Sequence, residues 1–169
     1  MKEKLLMRFA SKSDIERITD IYNQAIESKI STGDTKKFKP EERITWFDHY
    51  SSDKYPIYVF EIYNSVVAYA TLSPYRNGRM AMSKIAEISF FVDFNYHQKG
   101  IGSYIMENVI NDCKRLKKKT LLAFILDVNP ASASLLEKFG FEVWGKLPNA
   151  IEFDTYRCSH LIYGKRLNI

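Results

Sequence analysis

The chain has 169 residues, of which 46% are apolar and 27% charged. This fits one domain, taken as residues 1–169, with a substantial core, and it argues against disorder. Lys and Arg outnumber Asp and Glu by 25 to 20, a formal charge of +5. That charge suits a solvated basic surface or an acidic ligand, and without a basic stripe interleaved with aromatics nucleic acid is not an expected partner.

Phe and Tyr, 11 each, favour a sheet-containing fold. No apolar run approaches the ~20 residues of a membrane span. The start, Met1-Lys2-Glu3-Lys4, leads into too few apolar residues before Arg8 for a signal peptide. A soluble cytoplasmic protein with no membrane partner is therefore expected. Cys113 and Cys158 make neither a disulfide framework nor a metal-ligand spacing, so no metal is expected.

In chain order, Leu5–Ala10 reads as a short strand. Ser13 to Glu16 has the form of a capping box, followed by Ile15, Ile18, Ile21, Tyr22, Ala25 and Ile26 at helical spacing. Residues 31–39 read as a loop. Pro40 opens a short helix to about Tyr50, with Ile44 and Phe47 as inward candidates. Ile57–Ile62 and Val66–Leu72 form two β-rich runs joined by a hairpin turn at Tyr63-Asn64-Ser65. Residues 73–79 are a loop, and Ile85–Val92 is strongly β-prone. A helix follows from Gly100 to about Lys117, and the basic run Lys114–Lys119 reads as its C-terminus. Leu121–Val128 is a continuous apolar strand. Asn129-Pro130 is an N-cap with Pro at the first helical position, and Gly140 stops that helix. Phe141–Leu147 and Phe153–Leu167 are the last strands. The order β-α-α-β-β-β-α-β-α-β-β predicts a mixed sheet with helices on both faces, an α/β or α+β design.

Two stretches carry chemistry. Glu87 to Val92 runs into His97-Gln98-Lys99-Gly100-Ile101-Gly102-Ser103, a buried strand entering a Gly-rich loop that opens a helix. Amides at such a helix start bind anions, and glycines admit a bulky diphosphate. No Gly-Lys-Ser/Thr follows, so this is not a Walker loop. The second stretch is Asn129-Pro130-Ala131-Ser132, continuing to Phe139-Gly140-Phe141. Each alone is an ordinary capped helix; the two together, about thirty residues apart, are far more specific.

With these motifs the chain resembles the GNAT superfamily of N-acetyltransferases, in its phosphinothricin acetyltransferase-like branch. Arg8 to Asp14, Ile21-Tyr22-Asn23, Trp46-Phe47, Tyr55-Pro56, Leu72 to Arg76, Arg79 and Glu87 extend the likeness over nearly the whole chain. The resemblance implies a GNAT fold: a mixed sheet of six to seven strands, about four flanking helices, and a splayed V between the fourth and fifth strands. It implies that acetyl-CoA lies in that V as co-substrate, along Phe90, Phe91 and Val92. Its pyrophosphate would sit on amides of Gln98, Lys99, Gly100, Ile101, Gly102 and Ser103, with Asn129 and Ser132 near the pantetheine. Glu87 takes the position of the active-site carboxylate, and a homodimer is expected.

The chain also departs from the branch. His97 stands where Arg or Gln is usual, Leu136 where His or Tyr sometimes donates a proton, and Met82 where Tyr is common. The C-terminal Lys-x-Gly-x-Trp-x-Asp pattern is missing, so herbicide resistance as such is not expected.

The resulting expectation is direct acetyl transfer to the amine of a small, amino-acid-like acceptor. Glu87 would take the proton through water, and backbone N–H near Phe91 would polarise the carbonyl. Arg76 and Arg79 are candidates to hold an acceptor carboxylate. Tyr156, His160 and Tyr163 are pocket walls or proton donors, with Tyr156 and His160 on one strand face and Tyr163 on the other. The rival readings are a protein N-terminal or lysine acetyltransferase and a non-catalytic acyl-CoA-binding module.

Overall fold

Period-2 alternation along the central strands sends apolar side chains to both faces of one sheet. The structure, a computed structural model, describes residues 4–168. Met1–Glu3, part of the stretch read as too short for a signal peptide, fall outside the described residues.

The elements are β1 (Leu6–Phe9), α1 (Ile15–Ser28), α2 (Ile44–Asp48), β2 (Ile57–Ile62), β3 (Ser65–Pro74), β4 (Ile85–Val92), α3 (Ile101–Asp112), β5 (Thr120–Leu126), α4 (Pro130–Lys138), β6 (Glu142–Phe153) and β7 (Tyr156–Arg166), in the expected order. The sheet runs β1-β2-β3-β4-β5-β7-β6. Among the described residues only β4 and β5 pair in parallel, over Ile85↔Thr120 to Glu87↔Leu122. Beyond Glu87 the two strands part, while β5 continues to pair with β7 as far as Leu126↔His160. The V thus opens between the fourth and fifth strands.

On one face Tyr58, Phe60, Ala86 and Ile88 pack with Ile105, Met106 and Val109 of α3 and Leu136 of α4. On the other, Ile57, Val59, Val66 and Tyr69 meet Ile18 and Ile21 of α1, with Trp46 and Phe47 against them. Leu136 is fully buried in the first cluster, so an apolar residue there fills core. Cys113 is also core, and burial pushes its thiol up to about 12.

Four boundaries differ from the sequence reading. The capping box lies two residues earlier: Asp14 Oδ2 accepts from the Ser11 amide at 2.7 Å, the Asp14 amide donates to Ser11 O at 2.9 Å, and Glu16 is not part of it. Arg8 also donates to Asp14 at 2.7 Å, and this ion pair selects that turn. In α2, Ile44 is exposed and the residues packed against the core are Trp46 and Phe47. Helix α3 stops at Asp112, because Lys118 is drawn inward. Its Nζ donates to Ser83 O at 3.0 Å and stands 4.0 Å over the Tyr55 ring, so the basic run is not simply a helix C-terminus. Finally, Pro148 and Asn149 remain within β6, which accommodates them through register shifts. β6 ends the sheet, and an edge strand tolerates proline.

Candidate active site at the splayed strands

The antiparallel register of β3 and β4 pairs Tyr69 with Phe91, Thr71 with Ser89 and Ser73 with Glu87. All six share the α1/α2 face and line a cavity of about 540 Å³. Phe124 and Leu126 of β5 and His160 of β7 add the far arm of the V. Tyr22, the Ser31–Asp34 loop, Phe38, Arg43, Trp46 and Tyr50 roof it. The polar half of the alternation therefore faces a roofed cleft.

Glu87 is half-buried, and burial is the sole cause that raises its carboxyl above the ordinary range. None of the ion pairs among the described residues includes it, so no bridge to Arg76 or Arg79 holds it ionised. A carboxylate so placed is a better proton acceptor than one in water. His160 is lowered by burial and tilts against Phe124 with ring centroids 5.4 Å apart. Burial also pushes Tyr22 up to about 12, reinforced by the hydrogen bond its hydroxyl donates to Asp34.

Arg43 was not singled out from the sequence. It is 6% exposed, with its Cζ 3.9 Å from the Trp46 ring centroid and 4.5 Å from that of Tyr22. The signal was present: Arg43 lies three residues before Trp46, one helical turn away. Arg76 and Arg79 stand outside the cavity lining, on the exposed β3–β4 loop. Long cationic side chains on such a turn keep their charge solvated. Tyr156 also lies outside the lining; it stacks on Phe153 and its hydroxyl donates to the Lys29 carbonyl. That bond ties the β6–β7 hairpin to the end of α1, just before the roofing loop.

The other side of the V is shaped for an extended ligand. The Asp93 amide donates to Val67 O at 2.9 Å, so alternation turns the Phe91 amide toward β3 and those of Phe90 and Val92 toward the open edge. The amide available near Phe91 is thus a neighbour's. On that edge His97 Nε2 lies 2.9 Å from Val92 O. Burial alone would raise Asp93, but hydrogen bonds from Arg17, the Asn95 amide and Gln24 outweigh it and hold the carboxyl below its usual range. This cluster anchors the turn leading into residues 98–103.

Gln98 and Gly100 adopt positive φ, 60° and 78°, which reverses the chain into α3. Gly100 caps α3 without a side-chain acceptor, and the first helical bond is Tyr104 N–H to Gly100 O at 3.1 Å. The preceding amides, Ile101 to Ser103, remain available, as an anion at a helix start requires. Gly102 has a different reason: a Cβ there would lie 2.8 Å from Leu135 Cδ2, so it serves α3–α4 packing. Lys138, also unread from the sequence, donates to Ser103 Oγ at 3.0 Å and brings a cation from α4 to this turn. Asn129 is buried, and its side-chain oxygen accepts from the Ser132 amide at 3.2 Å. It caps α4 beside the end of β5. Among the described residues no group of three or more His, Cys, Asp or Glu is placed to hold a metal. No helix of the described residues is long and apolar enough to cross a membrane.

A sheet splayed at a parallel pair, with free amides at one mouth and a half-buried carboxylate at the other, defines a GNAT-type acyltransferase. The family model for the acetyltransferase (GNAT) family matches residues 16–141, and the chain belongs to that family. It is 35% identical over 165 residues to YwnH of Bacillus subtilis (strain 168), named as a candidate phosphinothricin acetyltransferase, covering 97% of this chain and all of that one. It is 28% identical over 144 residues to the L-methionine sulfoximine/L-methionine sulfone acetyltransferase of Salmonella typhimurium, covering 85% and 84% of the two chains. Among solved structures, yncA of Salmonella typhimurium, a candidate acetyltransferase solved with its cofactor acetyl-CoA, superposes with a TM-score of 0.89 at 25% identity, covering 97% and 94%.

Proposed function

We propose that this protein transfers the acetyl group of acetyl-CoA directly to the amine of a small amino-acid-like acceptor. The observation that carries the reading is Glu87: a half-buried carboxylate with no ion-pair partner among the described residues, at the point where β4 leaves β5. The relatives' activities on amino-acid analogues support the acceptor class.

Acetyl-CoA supplies an acetyl thioester. The open edge at Phe90 and Val92 offers main-chain groups to the pantetheine, and the amides of Gln98 to Ser103, with Lys99 and Lys138 nearby, offer donors to the diphosphate. The acceptor amine reaches the thioester from the cavity side. Its nitrogen forms the C–N bond as the C–S bond breaks, and the thiolate of CoA leaves. The proton lost from nitrogen passes to Glu87, directly or through one water. The α-amino group of a free amino acid is less basic than a Lys amine of pKa about 10.4, so a larger fraction of it is neutral near pH 7.5. A modest base therefore serves this acceptor class.

The Tyr156–Lys29 tie and the roofing loop cover one side of the cleft and narrow it, which favours a small acceptor over an extended peptide. Thiol release from acetyl-CoA across α-amino acids, methionine sulfone, methionine sulfoximine, phosphinothricin, polyamines and short peptides tests the reading. Turnover highest with the amino-acid group supports it; preference for peptides, or none with any amine, defeats it. A homodimer is proposed as well, because edge strand β6 exposes Val143, Trp144 and Leu147. Sedimentation velocity as a monomer would count against it.

A further inference from the structure

The cavity holds two unneutralised charges of opposite sign that do not meet. Glu87 has no cationic partner, and Arg43 has no carboxylate within 4.0 Å among the described residues. Both line the same space. The other acids at the roof are engaged: Asp34 accepts from the Tyr22 hydroxyl, and Glu42 Oε2 accepts from the Lys39 amide at 2.7 Å. Arg43 is more than nine-tenths buried in a box of Trp46, Tyr22 and Phe38, with ring centroids 3.9, 4.5 and 5.8 Å from its Cζ.

The aromatic faces attract the guanidinium and fix its plane, but they accept no strong hydrogen bonds. Burying a guanidinium without an anion is costly, and an anionic group entering the cavity would offset that cost. A planar fork locked by stacking is preorganised to bind a carboxylate with two parallel N–H···O bonds.

We infer that Arg43 is the specificity-determining anchor for the α-carboxylate of the acceptor, set opposite Glu87 so that an α-amino acid spans the cavity with its amine at the base. This deepens the proposed acetyl transfer and rests on it. It assigns the task to a roof residue in place of Arg76 and Arg79. It also selects α-amino acids over amines without a carboxylate, such as polyamines.

The test compares L-methionine sulfone with its methyl ester, in the wild type and in Arg43→Met, Arg43→Lys and the Arg76→Ala/Arg79→Ala pair. Esterification lowers the amine pKa and so favours the ester chemically; a preference for the acid then reports carboxylate recognition. Wild type is expected to prefer the acid on the order of 100-fold in kcat/KM, mostly through KM. Arg43→Met should cut that ratio below about 5-fold, and Arg43→Lys should keep part of it because the charge stays but the fork is lost. Equal use of acid and ester by the wild type overturns the inference. So does a wild-type ratio in Arg43→Met, or loss of the ratio in the Arg76/Arg79 pair alone. If Arg43→Met does not fold, judged by its thermal melt, the wild-type ratio and Arg43→Lys decide. If no amine is acetylated, the acetyl-transfer reading fails separately. Calorimetry of L-methionine sulfone with the CoA-loaded protein then decides on Arg43: heat in wild type but not in Arg43→Met supports the anchor, and no heat in wild type overturns it.

Discussion

Strand β4 presents two faces that do opposite work. Toward α3 and α4 it shows Ala86 and Ile88, closed against Ile105, Met106 and Leu136 without polar atoms. Toward α1 and α2 it shows Glu87, Ser89 and Phe91, beside Ser73, Thr71 and Tyr69, and here the roof stands off and leaves a cavity. The dry face packs the strand in place, while the other carries a half-buried carboxylate beneath a buried guanidinium of the roof. Polar residues on an alternating strand ordinarily point to water. In this sheet the second face is covered, and its polarity marks a site.

If the cavity face is functional and the dry face structural, substitutions should separate activity from stability. The largest effect is expected for Glu87→Gln, which removes the base without changing shape: thiol release should fall about 10²- to 10³-fold in kcat. Unchanged turnover would remove Glu87 from the mechanism.

The same substitution should raise Tm at neutral pH. The folded carboxyl is raised by burial, so its contribution to stability is full below the unfolded value and is lost as pH rises through the folded one. Calorimetric melts should therefore show the advantage of Gln at pH 7 and its disappearance below the ordinary carboxylate range. In the wild type, kcat/KM should decline on the acid side at a pH above that range, and Glu87→Gln should lose this limb.

Asp93→Asn tests the support of the 98–103 turn proposed to hold the diphosphate. It weakens the bond from Arg17, 2.5 Å, to a side chain 4% exposed. With Arg17 itself partly exposed, a loss of about 1–2 kcal/mol in urea unfolding is expected, with a raised KM for acetyl-CoA. A raised KM without lost stability would separate the loop from the fold.

Gly102→Ala should be the mildest. Its Cβ meets only the tip of Leu135, which can turn aside, so a loss of about 1 kcal/mol or less is expected, relieved in a Leu135→Ala background. Loss of cofactor binding at wild-type stability would instead mean that the diphosphate needs Gly102 itself.

Much of the architecture was legible. Period and punctuation placed every strand and helix in order, and Asn129, Pro130 and Gly140 bounded α4 as read. Errors fell where a distant partner outbid a local preference. Arg8 drew Asp14 into the cap, and Ser83 with Tyr55 drew Lys118 out of the helix. Of the site, Glu87 and the 98–103 loop could be read because they lie in one continuous stretch. The Tyr156–Lys29 tie and the Lys138–Ser103 bond could not, since each joins segments far apart in sequence; Arg43 had a local signal in Trp46, but its burial against Tyr22 depends on how α1 packs.

By itself, then, the sequence determined the alternation of β4, the turn at Gly100 and the cap at Asn129, because these follow from side-chain period and local backbone preference. Only the tertiary structure decided that β4 and β5 part after Glu87, that their polar face is roofed, and that an aromatic box leaves Arg43 without an anion. Those outcomes depend on which surfaces meet, and burial and charge pairing are properties of the packed chain.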